Sequence, residues 1–212
     1  MKAAVMGLLI SGAMWGATPK IVFTKSFPGS TPPFESVSVD KNGALQYMES
    51  ASDDQPVTAQ MSQSEAMPLF EQAQKLDYFR SPLDSGLKVA NTGKKTFRYI
   101  DADGKSTETS FNYSTNEIAR QLLDRFEQIA ASERAYQDLD RAVHFDKLGV
   151  NEALAQIESL WLQKQLAAPR QFIPLLDRII GHESFMHLVR ERSARLKEAF
   201  QGPAPVANSE TK

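Results

Sequence analysis

The chain has 212 residues, a formal net charge of −2 at pH 7 and no cysteine, which excludes disulfides, thiolate metal sites and cysteine nucleophiles. Its 24 lysine and arginine residues balance 26 aspartate and glutamate residues, so it lacks the excess of positive charge that is typical of nucleic-acid-binding proteins. With 42% hydrophobic residues, it can bury a substantial core, as one domain or as two small ones.

The first 17 residues predict an export signal. Lys2 is followed by an uncharged, mostly apolar run over residues 3–17, which is shorter than the about 20 residues that a membrane-spanning helix needs. A positive start, a short apolar centre and small residues near its end are typical of a secretory signal peptide, with cleavage after Ala13 or Ala17. A hydrophobic first strand and an uncleaved anchor are the alternatives. We therefore expect a periplasmic or secreted protein that has no stable membrane span after processing.

Strands and tight turns dominate the next part of the chain. A first strand is predicted over Lys20–Ser26, and two hairpins are predicted around the three-residue loops 41–43 and 102–104, whose final glycines can adopt a left-handed backbone conformation. Keeping the apolar side chains of each hairpin on one face defines the register. The predicted pairs are Val37 with Tyr47, Val39 with Leu45, Phe97 with Thr109, Tyr99 with Thr107, and, on the outer face, Arg98 with Glu108.

The first helix is predicted to follow a polar loop over residues 51–60. Ser62 and Glu65 fit a capping box, but Pro68 favours Ser64 as the N-cap, because proline is tolerated in the first turn of a helix. We expect this helix to extend to about Phe79. A short strand is then expected over residues 87–90, before the second hairpin.

The second helix is predicted to be long. Ser114 and Glu117 form a capping-box pattern, and Gly149 is the first glycine or proline that follows. One helix could therefore extend from Thr115 to about Lys147, with Gly149 as its C-terminal cap. The apolar stripe of this helix is predicted to consist of Ile118, Leu122, Phe126 and Ile129.

Three further helices are predicted, one capped by Asn151, one from Pro169 to Gly181 and one from about Glu183 to Gly202. The predicted fold is α+β: an antiparallel sheet with two covering helices, from a ββα unit used twice, followed by a C-terminal helical region. The predicted divisions are a signal peptide (1–17), an α+β sheet module (18–130), the helical region (131–201) and a disordered tail (202–212).

The sheet module resembles small exported bacterial domains of unknown function that are built from two strand-pair-plus-helix units. The resemblance covers about residues 26–129. It is carried by the pairing of Val37 with Tyr47, by Thr96, Phe97, Arg98, Tyr99 and Gly104, by Phe111, Asn112 and Tyr113, and by Leu123, Asp124, Arg125 and Phe126. The resemblance implies this fold and export. It implies no catalytic residue, since such domains carry no assigned activity.

Each catalytic or metal-binding pattern in the sequence fails at a position that its chemistry requires. His182 and His187 are five residues apart, whereas two zinc-binding histidines on one helix are four apart. Residues 101–104 resemble a calcium loop but lack its later ligands and fit a hairpin turn. Ser85 and Lys88 have the spacing of penicillin-binding enzymes without the companion motifs. We therefore predict no catalytic residue, no metal site and no cofactor.

The best recognition candidate is the proline-rich loop of residues 27–34. Its predicted partner-binding residues are Phe27, Pro32, Pro33 and Phe34, since a stiff backbone with apolar side chains loses little entropy on binding. These features predict an exported, non-catalytic binding protein of the bacterial envelope, whose partner is a protein or an envelope component and not a nucleic acid. The alternative is a periplasmic or secreted hydrolase whose site forms only in the fold, which two close carboxylates with raised pKa values would favour.

Overall fold

The computed structural model describes residues 17–53 and 55–202. Apart from Ala17 and Gly202, the predicted export signal and the predicted tail lie outside these residues. Six strands form one antiparallel sheet in the order β4-β3-β2-β1-β5-β6. The strands are β1 (Lys20–Ser26), β2 (Phe34–Asp40), β3 (Ala44–Met48), β4 (Val57–Gln60), β5 (Lys94–Ile100) and β6 (Ser106–Phe111).

The described helices are α1 (Gln63–Lys75), α2 (Glu117–Phe145), α3 (Val150–Leu162), α4 (Ile173–Gly181) and α5 (His187–Gln201). Single 3-10 turns lie at Asp77–Phe79 and Pro169–Phe172. The chain order places α1 and α2 after the strand pairs β2–β3 and β5–β6, and the other three helices follow. The predicted α+β fold with a C-terminal helical region is therefore confirmed.

Both hairpins have the predicted register. All four inward pairs form as expected, and on the outer face Arg98 Nε donates to Glu108 Oε2 at 2.6 Å. Gly43 and Gly104 have φ values of 86° and 80°, as the three-residue loops require. The two turns are also built alike. Asp40 and Asp101 each accept two backbone N–H bonds through Oδ1, from the second and fourth residues that follow them.

Several predictions around α1 are wrong. Its N-cap is Ser62, not Ser64, because the full capping box forms and the Ser62 N–H donates to Glu65 Oε2 at 2.9 Å. Pro68 lies inside the helix and has no N–H to donate to the carbonyl group of Ser64. Because Ser64 is exposed, water can bond to that carbonyl group instead. The helix ends at Lys75. Residues 51–60 contribute edge strand β4, and no strand forms at residues 87–90.

The long helix α2 is continuous, as predicted, but its ends differ from the prediction. Its N-cap is Asn116, whose Oδ1 accepts from the N–H groups of Ile118 and Ala119 at 2.9 and 3.1 Å. At the other end the chain turns at Asp146, and Gly149 is the N-cap of α3 and not the C-cap of α2. Asn151 therefore lies in the first turn of α3 and not at its cap.

The described residues have two hydrophobic cores, and α2 belongs to both. Residues 119–130 of α2 pack with α1 on one face of the sheet, around Phe23, Phe97 and Phe126. Residues 135–143 pack with α3, α4 and α5, around Phe172 and Phe200. The opposite face of the sheet is mostly polar, with Val22, Phe34, Met48 and Ile100 as its larger apolar residues. Both helices of the sheet part therefore cover the same face.

Candidate functional site

The loop of residues 27–34 connects β1 to β2 and is held in one shape by its own hydrogen bonds. The peptide bond between Thr31 and Pro32 is cis. The hydroxyl group of Ser30 lies 2.7 Å from the carbonyl oxygen of Phe27 and 2.6 Å from that of Pro32. The Phe27 N–H donates to the Pro33 carbonyl at 2.9 Å. Each of these hydrogen bonds closes the loop on itself, so its conformation does not depend on a partner.

The four predicted binding residues do not share one surface. Phe27, Pro32 and Phe34 are half-buried, and Pro33 is exposed. Phe27 and Pro32 line a cavity of about 510 Å³ behind the loop, whereas Pro33 and Phe34 are not among the lining residues. The floor of the cavity carries charge, because Lys25, Glu35 and Arg134 also line it.

A row of charged residues ends the apolar face of the sheet, and sequence reasoning missed it. Lys25 of β1 pairs with Glu35 of β2 on one side and with Lys95 of β5 on the other. All three occupy inward positions of their strands, two residues from a buried core residue. Helix α2 contributes Glu127 and Arg134 to the same cluster. We call these five residues the charged row. The signal was present in the sequence, since a charge at an inward position of a strand breaks the alternation that a core requires.

The carboxylates of the charged row are held by cations. Arg134 Nη1 donates to Glu35 Oε2 at 2.6 Å, and Lys25 Nζ lies 2.8 Å from Glu127 Oε1 and 4.0 Å from Glu35 Oε1. Burial raises the pKa of Glu35, while the charges of Arg134 and Lys25 oppose that rise. This row can therefore bind polar groups, but neither carboxylate is free of a positively charged partner.

Lys95 differs from the rest of the charged row. It is 5% exposed, and its Nζ donates to Thr92 Oγ1 at 2.5 Å and to the Asn112 carbonyl at 2.9 Å, both neutral acceptors. Among the described residues, no carboxylate oxygen lies within 4.0 Å of this ammonium group. Burial lowers the pKa of Lys95. A second cavity, of about 520 Å³, is lined by Lys95 and shares Lys25 and Thr92 with the first.

The aromatic residues of the second hairpin are divided between the core and this second cavity. Phe97 is fully buried, and Phe111 is 3% exposed while also contributing to the cavity lining. Tyr113 is 39% exposed and lines the same cavity. The two phenylalanines are therefore core residues, whereas Tyr113 is not.

The patterns set aside in the sequence are not assembled into sites in the part of the chain that the structure describes. His182 follows the end of α4 and His187 is the first residue of α5, so the two do not share a helix. Ser85 Oγ accepts from the Leu87 N–H in a local turn. Across residues 17–53 and 55–202, no three histidine, aspartate or glutamate side chains are placed to hold a metal ion.

No protein-family model matches the chain, and no curated protein matches it in sequence. Within the described residues, none of the helices is both long enough and apolar enough to span a membrane. The site must therefore be interpreted from its own geometry. That geometry consists of a rigid loop, two adjoining polar cavities and a charged row between them.

Proposed function

We propose that this protein is an exported, non-catalytic binding protein of the bacterial envelope that recognises a protein segment with the loop of residues 27–34. The observation that carries the proposal is the closed hydrogen bonding of the loop around Ser30 beside a cavity of about 510 Å³. A loop that is already ordered loses little conformational entropy when a partner binds. Loops held on a rigid sheet are also where binding residues are most often found.

The chemistry of the cavity favours an extended polypeptide as the partner. Phe27 and Pro32 supply apolar walls, while Thr31, Asn91 and Thr92 supply polar groups at the rim. The paired charges of Glu35 and Arg134 lie at the floor. A peptide presents alternating apolar and polar groups at this scale, and such pockets bind it by shape with a few directed hydrogen bonds.

A hydrolase is the second candidate, because Glu35 has a raised pKa and lies near Glu127 through their shared neighbour Lys25. A general acid needs such a carboxyl group. The pairing of Glu35 with Arg134 argues against this role, since the positive charge opposes the rise of the Glu35 pKa and one carboxylate oxygen is already bonded. Turnover of an ester, peptide or glycoside substrate that disappears in Glu35→Gln would establish the hydrolase and overturn the binding proposal.

The loop can be tested by photo-crosslinking in the cells that make the protein. A photoreactive amino acid at Thr31, which is exposed at the cavity rim, should give one discrete adduct. The control position is Asp103, exposed in the hairpin turn at the opposite end of the sheet. Phe27→Ser should abolish the Thr31 adduct without changing the circular-dichroism spectrum.

Two outcomes of the crosslinking would contradict the proposal. Equal labelling at Thr31 and Asp103 would mean that the loop has no selective partner, and no labelling at Thr31 would mean that it has none. Export is tested on the same material by mass spectrometry of the N-terminus. The expected mature protein starts between residues 14 and 22, and an intact Met1 on a cytosolic protein would refute export.

A further inference from the structure

Lys95 is 5% exposed, yet no carboxylate of a described residue lies within 4.0 Å of its ammonium group, and Glu127 attracts this charge only from a longer distance. Two of its three N–H groups donate to Thr92 Oγ1 and to the Asn112 carbonyl. Its strand neighbour Lys25 carries the same charge, and the one carboxylate that Lys25 contacts closely, Glu127, is thereby engaged. Burying a charge without a partner of opposite sign costs stability. A residue that imposes such a cost is a candidate for a functional role.

The surroundings of Lys95 have the size and the donors of a ligand site. The cavity of about 520 Å³ lies in the usual range for small-molecule sites. Ser114, which is 3% exposed, lines it, and its Oγ accepts from the Asn116 N–H, which leaves the hydroxyl hydrogen free to donate. Phe111 and Tyr113 supply an aromatic wall. The buried donors therefore face the same space as an apolar surface.

The other charges of the cavity limit the charge of the ligand. Glu117 is paired with Arg120, and Glu127 is paired with Lys25. Asp124, at the exposed edge, has no ion pair with a described residue. Lys95 inside the cavity and Asp124 at its edge are thus the charges that have no ion pair within 4.0 Å among the described residues that line it. A single negative charge on the ligand satisfies Lys95, whereas a dianion would be repelled by Asp124 and Glu127.

We propose that this cavity binds a carboxylate group, which accepts the third N–H of Lys95 and the hydroxyl of Ser114. The ligand is a small carboxylate or the free C-terminus of a peptide, and the two share this chemistry. The site shares Lys25 and Thr92 with the cavity behind the loop of residues 27–34, but no residue of that loop lines it. The proposal therefore does not require that the loop has a protein partner.

The test is a titration of the ¹⁵N-labelled protein followed by NMR, with four probes: acetate, trialanine with a free C-terminus, trialanine amide, and inorganic phosphate. Acetate and free trialanine should give saturable shifts at the amides of Thr92, Asn112 and Ser114. The amide and phosphate should not. Affinity at least about tenfold higher for trialanine than for acetate identifies a peptide terminus, and similar affinities identify a small carboxylate.

The matched variants are Lys95→Met and Lys94→Met, which remove the same charge from neighbouring positions of β5, one buried and one exposed. Lys95→Met should weaken carboxylate binding by at least about tenfold, and Lys94→Met should leave it unchanged. If Lys95→Met does not fold, Lys95→Gln, which keeps polar hydrogen donors, takes its place. Unchanged carboxylate binding in the Lys95 variant, no saturable carboxylate binding in the wild type, or tighter binding of phosphate would each overturn the proposal.

Discussion

The sheet part and the helical part of this protein close their cores in different ways. In the sheet part, the apolar face ends in the charged row, and two cavities open beside it. In the helical part, aromatic and aliphatic residues fill the core, and large apolar side chains also reach the surface, with Phe145 86% exposed. The helical part also has a cavity with charged walls, of about 300 Å³ and lined by Asp138, Arg141, Asp146 and Glu152, but the two larger cavities and the buried charges of the charged row lie in the sheet part. The candidate binding chemistry therefore lies there, while the helical part supplies packing.

Hydrogen bonds join the two parts near the middle of α2, the helix that belongs to both. Ser132 Oγ accepts the Ala167 N–H at 2.8 Å, and the Ala168 N–H donates to Glu65 Oε1 at 3.2 Å. Ala167 and Ala168 belong to the core of the sheet part although they follow α3 in the chain. The division between residues 130 and 131 stays a prediction, and these contacts favour cooperative unfolding across it.

The largest expected effect tests that cooperativity. Phe126 and Phe172 are both fully buried, the first in the sheet core and the second in the helical core. Replacing either by alanine should lower the free energy of unfolding by about 3–5 kcal/mol, through lost burial and a residual cavity. Hydrogen exchange with mass spectrometry should then show loss of protection in both parts for each variant, because α2 is common to both cores.

A matched control for these variants is Leu188→Ala, a change of a large apolar residue that is 58% exposed on α5. It should leave exchange in both parts nearly unchanged, since little area is buried. If Phe172→Ala exposes only the helical part while β1 and β5 keep full protection, the two parts are independent units. The sheet part and the helical part would then be two domains that unfold separately, and not two ends of one cooperative fold.

The next effect concerns adjacent residues of α2 that meet different surroundings. Arg134 bonds to Glu35 of the sheet part, whereas Glu133 is fully buried and bonds only to Gln171 Nε2, at 2.8 Å. Glu133 Oε2 and Gln171 Oε1 have no hydrogen-bond partner. Both of these oxygens are acceptors, and a protonated Glu133 carboxyl group would supply an O–H donor to this buried pair. Burial raises the pKa of Glu133 to about 7, against the smaller lowering effect of the bond from Gln171.

This raised pKa predicts a pH-dependent stability. Because the folded state favours the protonated form, the contribution of Glu133 is fully present below its ordinary pKa of 4.5 and is lost as the pH rises to about 7. Glu133→Gln should therefore stabilise the protein by about 3 kcal/mol at pH 8 and have little effect at pH 4.5. Urea unfolding at the two pH values measures this difference.

The control for Glu133 is Glu152→Gln on the exposed side of α3, which should change stability little at either pH. An equal effect of Glu133→Gln at pH 8 and pH 4.5 would mean that the carboxyl group is not protonated by burial. Destabilisation at pH 8 would mean that the ionised carboxylate makes a favourable contact, and the contrast between Glu133 and its neighbour Arg134 would then disappear.

The features that could be predicted from the sequence are those that neighbouring residues determine. Both hairpin registers are correct, because alternation and a glycine in the turn act within about ten residues. Helix caps are less predictable, since Asn116 and Ser114 offer equivalent side-chain oxygens two positions apart. Edge strand β4 escapes prediction because its apolar alternation, Val57 and Ala59 against Thr58 and Gln60, extends over four residues only and follows a polar loop.

The candidate site was predictable only in part. The loop of residues 27–34 is identified by its prolines, but its binding wall is formed by Phe27 and Pro32 together with Arg134, which is about 100 residues distant in the chain. The pairing of Lys25 with both Glu35 and Lys95 depends on β5 inserting beside β1. No local pattern specifies that order of strands, so the charged row could be noticed in the sequence but not assembled.

The smallest expected effect compares the glycines of the two parts. All described glycines with positive φ lie in the sheet part, and Gly104 is one of them, with φ of 80° and open space where a Cβ atom would lie. Gly181, in the last turn of α4, has no positive φ and also has open space there. Gly104→Ala should therefore lower the free energy of unfolding by about 1–2 kcal/mol through left-handed strain alone. Gly181→Ala should be neutral or slightly stabilising. The measurement is the midpoint of urea unfolding for both variants. Equal effects of the two substitutions would show that the turns of the sheet part do not require glycine more than the helix end at Gly181 does.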